Sequence, residues 1–192
     1  MHKREVVERQ RYGRNKDTAV NHAYINSGEY RNKFDRVSDN KELNRLTYQL
    51  AKKMLVHRSG TSLEDMYWID IDTGMLVASE VNQTIPCQIK YSKTTMKVVK
   101  NHKNLLVIHT HPYSMPPSIR DFNSNFKNRY RISLVCCHDG KIYMYQSKRY
   151  IPEFLYKGTV AKYRKMGYDD FEAQICALKE YEQKGDIIFK EV

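Results

Sequence analysis

No apolar run in this chain is long or uninterrupted enough to span a bilayer, and its basic opening, MHKREVVERQRYGR, is not followed by the apolar stretch of a signal peptide. Membrane association is therefore not expected, and a cytoplasmic location is. Cysteine offers no framework either. Cys87, Cys136, Cys137 and Cys176 are irregularly spaced without a C-x-x-C, and the adjacent pair sits in an apolar run where both read as small core residues. A reducing compartment suits such a set. No internal repeat is visible, and no low-complexity tract beyond the basic N-terminal stretch. Acidic residues are scarce in one region: positions 91–165 hold three of them against fifteen lysines and arginines, in a chain of net charge +11. A charge excess confined to one region implies either a directed surface for an acidic partner or a plain solvated face.

What is present is enough for one ordinary domain, since 192 residues at 41% hydrophobic content can bury a real core. Residues 1–37 are polar and basic without sustained apolar periodicity, and read as an arm or linker with no fold of its own. The domain is expected over 38–192. Asp39 with Glu42 makes a capping box, and Leu43, Leu46, Leu50 and Met54 repeat at helical spacing, predicting a helix over 40–57. Two β-prone runs, 66–71 and 75–81, flank Asp72-Thr73-Gly74 as a hairpin. Ser92 can cap a second helix, the apolar run 105–108 reads as a buried strand, and Ser118 can cap a helix to about 127. A second hairpin, 130–137 and 141–146, turns at His138-Asp139-Gly140. Helices follow Pro152 and restart at Asp169 with Glu172, the latter with Phe171, Ile175 and Leu178 on one side. An α/β fold follows, a mixed sheet flanked by helices.

The chemistry concentrates at the end of the central strand. Side chains two apart on a strand point the same way, so His109 and His111 can present both imidazoles to one point. Imidazole suits zinc, a hydrolytic zinc takes three protein ligands, and Asp121 at the start of the next helix can be the third. Pro112, Pro116 and Pro117 stiffen the intervening loop. Taken singly, Ser118 with Asp121 is an ordinary helix-capping arrangement, and two histidines are ordinary strand-end residues. Their joint spacing directly after an apolar strand favours the metal.

The run HTHPYSMPPSIRD, that is His109-Thr110-His111-Pro112 followed by Ser118-Ile119-Arg120-Asp121, resembles the H-x-H-P, S-x-x-D signature of the JAB/MPN (JAMM) family, and looks similar to its phage and mobile-element members. The resemblance implies a JAB/MPN, cytidine-deaminase-like fold over about 40–147. It implies zinc held by His109, His111 and Asp121, Ser118 as oxyanion partner, and an upstream glutamate that polarises the zinc water. The loop departs from the family by one residue, six rather than seven separating the second histidine from the serine. Two acids are candidates for the glutamate: Glu64, just before the first β-prone run, is favoured over Glu80 at the far end of the hairpin.

The implied function is zinc-dependent hydrolysis of a peptide or isopeptide bond in a peptide or protein substrate, an acidic one where the basic excess over 91–165 is a directed surface. A non-catalytic JAB-fold interaction or virion-assembly module is the alternative, as is a RadC-like protein associated with nucleic acid, for which no motif speaks. A zinc nucleobase deaminase is excluded, since Cys136-Cys137 supplies no P-C-x-x-C. Tyr113 and Met115 can line a substrate groove or pack on their own domain. His57, His102 and His138 fall outside the pattern and read as surface or turn residues.

Overall fold

Strand alternation decides which layer each side chain of this protein meets. The computed structural model describes residues 16–192. Its strands are β1 (Met66–Asp70), β2 (Met75–Glu80), β3 (Leu105–His111), β4 (Ile132–Cys137), β5 (Ile142–Ser147) and β6 (Ile187–Glu191), in one sheet ordered β2-β1-β3-β4-β5-β6. The α-helices among the described residues are α1 (His22–Ile25), α2 (Gly28–Lys33), α3 (Lys41–Arg58), α4 (Lys93–Asn101), α5 (Ile119–Asn128), α6 (Glu153–Lys165) and α7 (Asp170–Gln183). The fold is mixed α/β, as expected. Every neighbouring strand pair is antiparallel except β3–β4, which is parallel and therefore needs a crossover, supplied by α5.

One sheet face carries Tyr67, Ile69, Leu106, Ile108, Leu134 and Cys136 and packs on Leu50, Met54 and Leu55 of α3. The other carries Met66, Trp68, Leu105 and Val107 toward Val99 of α4. On that same side Val135, Tyr143 and Tyr145 pack against Phe122 of α5, Val160 of α6 and Leu178 of α7. Each such large side chain taken fully out of water contributes about 1.5–3 kcal/mol. No helix among the described residues is long and apolar enough to cross a membrane.

The expected helix starts at Ser92, Ser118 and Asp169 are all present, each side chain accepting a hydrogen bond from a backbone N–H of its helix's first turn. The first long helix begins one residue later than expected, because Asn40 rather than Asp39 accepts from the N–H groups of Glu42 and Leu43. On α7 the fully buried residues are Ala173, Ala177 and Leu178, while Phe171 and Ile175 are only partly covered. β6 was not foreseen. It pairs with β5 and drives Ile187 and Phe189 into the core.

The expectation of a foldless arm is corrected over residues 16–37; residues 1–15 lie outside the described part. Asn21 and Ser27 cap α1 and α2. Val20, Ile25, Tyr30, Phe34 and Val37 are buried in the cluster that α3 forms with the sheet. Tyr30 and Phe34 meet edge to face at 5.4 Å, and Lys33 Nζ donates to the Gly140 carbonyl at 3.0 Å.

Candidate metal centre

The site lies where the carboxyl end of β3 leaves its parallel neighbour β4, with the N-terminus of α5 returning over it. Such an end is where open α/β sheets leave a crevice. Residues 105, 107, 109 and 111 share the face covered by α4–α7, so His109 and His111 follow Leu105 and Val107 inward. β1 runs antiparallel with Met66 opposite His109. Two residues before Met66, Glu64 lies on this same side. Asp65 points the other way, to α3. Its backbone is held to Thr110, which sits between the histidines: Thr110 N–H donates to the Asp65 carbonyl and Asp65 N–H to Thr110 Oγ1, both at 3.1 Å.

The three proposed ligands converge. His109 Nε2 and His111 Nε2 are 3.1 Å apart, and each lies 3.5 Å from one carboxylate oxygen of Asp121. Ligands about 2.0–2.1 Å from a tetrahedral zinc are about 3.3 Å from one another, so the donor set fits that ion. His111 Nδ1 donates to the Met115 carbonyl at 2.8 Å, which turns its Nε2 toward the other candidate ligand atoms. His109 Nδ1 is buried without a partner.

Charge agrees with geometry. Burial alone would push the His111 imidazole down, but its hydrogen bond to Asp121, the charges of Asp121 and Glu64 and the Met115 carbonyl outweigh it and hold it at about 9. Burial likewise opposes ionisation of Asp121, yet the two histidines keep its carboxyl well below the usual range. A half-buried carboxylate facing two imidazoles is a donor set that can hold a cation. Glu64 is raised by burial, which the histidines offset only in part. It therefore holds a proton more readily than an ordinary carboxylate.

Glu64, His109, His111, Ser118 and Asp121 all line one cavity of about 420 Å³. Glu80 does not. Its carboxylate accepts from Ser92 N–H at 2.7 Å and borders a separate hollow with Gln83. Ser118 Oγ donates to Asp121 Oδ2 at 2.8 Å, while Ser118 N–H donates to the same oxygen at 2.7 Å. The capping box and the site are thus one arrangement, with the cap fixing the candidate ligand Asp121.

The chain matches no family model, no curated protein and no solved structure. What the site can do rests on its own geometry.

Tyr113 and Met115 line the cavity. Sequence reasoning missed its far wall, made by Cys87, Ile89 and Tyr91 from the β2–α4 loop and by Tyr130 and Tyr145. Tyr91 packs edge to face on Trp68 at 5.0 Å, and Trp68 Nε1 donates to Tyr130 Oη at 3.1 Å. An irregular loop has no period to announce it, although Tyr145 could have been placed by alternation along β5.

Of the three histidines read as surface or turn residues, His57 is exposed and His102 half-buried, and each also meets a carboxylate. His57 Nδ1 meets Asp65 and His102 Nδ1 meets Asp70, each at 2.7 Å. His138 lies in the expected turn but is buried, its Nδ1 2.6 Å from the Thr18 carbonyl and its N–H donated to the carbonyl of His111.

Proposed function

We propose that this protein is a zinc-dependent hydrolase of peptide or isopeptide bonds, of the JAB/MPN kind. The observation that carries it is the convergence of three metal donors with the buried Glu64 carboxyl, raised by burial, in one cavity. His109, His111 and Asp121 would hold the ion. Zinc supplies a Lewis acid that polarises a carbonyl and lowers the pKa of water toward 7.

The chain's own residues do the rest. Glu64, raised by burial, takes a proton from the attacking water and returns it to the leaving amine, so the carboxyl ends each cycle as it began. Ser118 Oγ, now donating to Asp121, can turn its proton to the developing oxyanion while its backbone N–H keeps Asp121 in place. Met115 fixes the tautomer of His111 through its carbonyl. Tyr91, Tyr130 and Tyr145 exclude water from the inner wall.

Zinc analysis coupled to cleavage of a peptide library, with and without chelator, tests the proposal. Zinc-dependent cleavage is expected, and Glu64→Gln should keep the metal while losing about 10²–10⁴-fold in rate. Stoichiometric zinc with no cleavage of any peptide would favour the non-catalytic alternative.

A further inference from the structure

Three hollows join end to end along α5. The metal cavity shares Tyr91, Arg120 and Ser124 with a groove of about 660 Å³. That groove shares Phe126 and Lys127 with a third hollow of about 450 Å³ beyond the helix C-terminus. α5 thus begins at the metal ligands and ends in the third hollow. Its ten residues set the length of the track at about 15 Å.

The stations differ in chemistry. The middle groove presents exposed apolar side chains, Met96, Phe126 and Tyr150. The far hollow is lined by Lys103, Lys127, Arg129, Arg131 and Lys148. None of these five cations meets a carboxylate within ion-pair distance among the described residues, whereas elsewhere Arg149 pairs with Asp186 at 2.7 Å, Lys162 with Glu180 at 2.9 Å and Arg164 with Asp170 at 2.9 Å. Arg129 is also held at φ +56° as the C-cap of α5, where glycine is the usual residue. Five like charges left unneutralised around one concavity attract an anion.

We infer that the substrate of this site is an acidic polypeptide, lying along α5 with an apolar side chain on Phe126 and Met96 and carboxylates among Lys127, Arg129 and Arg131, four or five residues from the scissile bond. The inference rests on the hydrolase reading. The distance follows from the track, since an extended chain advances about 3.3 Å per residue. A nucleic acid fits less well, because a peptide hydrolase needs an amide bond at the metal and the middle groove offers Met96 and Phe126 to an apolar side chain, its one carboxylate, Glu153, being paired with Arg120 at 3.1 Å.

The test uses the full zinc-loaded protein and a short fluorescein-labelled peptide carrying a phenylalanine beside a run of glutamates, with a glutamine counterpart and an oligothymidylate as the other probes. The glutamate peptide should bind by anisotropy more tightly than the glutamine one and lose about tenfold or more in affinity at high salt. Lys127→Glu/Arg129→Gly/Arg131→Glu should weaken it by a similar factor with zinc content unchanged. Lys41→Glu/Lys53→Glu, on α3 across the sheet, should not. Equal binding of both peptides, no effect of the triple substitution, or tighter binding of the oligothymidylate through the same cations would overturn the inference. The two readings fail separately. Cleavage indifferent to peptide acidity and to the triple substitution sinks this inference and leaves the hydrolase, whereas charge-dependent peptide binding without any cleavage sinks the hydrolase and leaves the surface.

Discussion

Replacing Asp65 by alanine should cost more stability than any other single change outside the apolar core. Its side chain is fully buried and meets Arg58 Nε at 2.5 Å and His57 Nδ1 at 2.7 Å. Arg58 is itself only 6% exposed, with Nη2 donating to the Val81 carbonyl. Without Asp65 the guanidinium stays in a low-dielectric setting with one neutral acceptor, and breaking a buried pair from one side costs about 3–5 kcal/mol. In a domain of this size each kcal/mol moves the melting midpoint by about 2–4 °C, so Tm should fall by roughly 6–20 °C. Urea titration should show a lower midpoint with an unchanged slope. His57→Ala should cost no more than about 1 kcal/mol, because that ring is half exposed. Arg58→Met with Asp65→Leu should recover much of the loss, since an apolar pair carries no stranded charge. A loss below about 1 kcal/mol for Asp65→Ala would refute the reasoning and mean that water reaches Arg58.

Other outcomes are as definite. Replacing His109 and His111 together by alanine should abolish zinc binding in atomic spectroscopy, and retained stoichiometric metal would refute the ligand assignment. Asn125→Ala should cost about 2–4 kcal/mol in urea titration, because this one side chain bonds the Tyr130 carbonyl, Ser133 Oγ and Ser147 N–H. Hydrogen bonds from Lys184 and Lys162 hold the Glu180 carboxyl down to about 2. A depressed carboxyl stabilises the folded state fully above its usual range near 4.5 and ceases to do so as pH falls toward 2. The difference in Tm between wild type and Glu180→Gln should therefore be present at pH 6 and vanish near pH 2, and a difference that persisted at pH 2 would contradict this cause.

Much of the architecture was legible because its signals are local. Asp72-Thr73-Gly74 and Asp139-Gly140 demand turns, Ser92, Ser118 and Asp169 can satisfy free N–H groups, and the apolar run before His109 marks a buried strand. The candidate ligands were legible for the same reason, their spacing being fixed by one strand and one helix start. What failed depends on distant partners. Val20, Ile25, Tyr30, Phe34 and Val37 fall at irregular intervals across short helices, so no single period reveals that they cover the core. β6 has only Ile187, Phe189 and their pairing with β5 to define it. His138 looks like a turn residue until Thr18, at a separation of 120 positions, closes over it.

That closure has a consequence for how fast the protein lets go of its structure. The bonds from Thr18 to His138 and from Lys33 to Gly140 span 120 and 107 positions, and loops of such length close late because their ends must first be brought together. The same segment, residues 16–37, also holds nearer partners, Val20 N–H donating to Ser59 Oγ across 39 positions, and its longest-range bonds are expected to form late and release early. Trimming Val20 or Ile25 to alanine should quicken unfolding more than it slows folding, so the operating lifetime of the cavity is set by a stretch of chain that contributes no side chain to it.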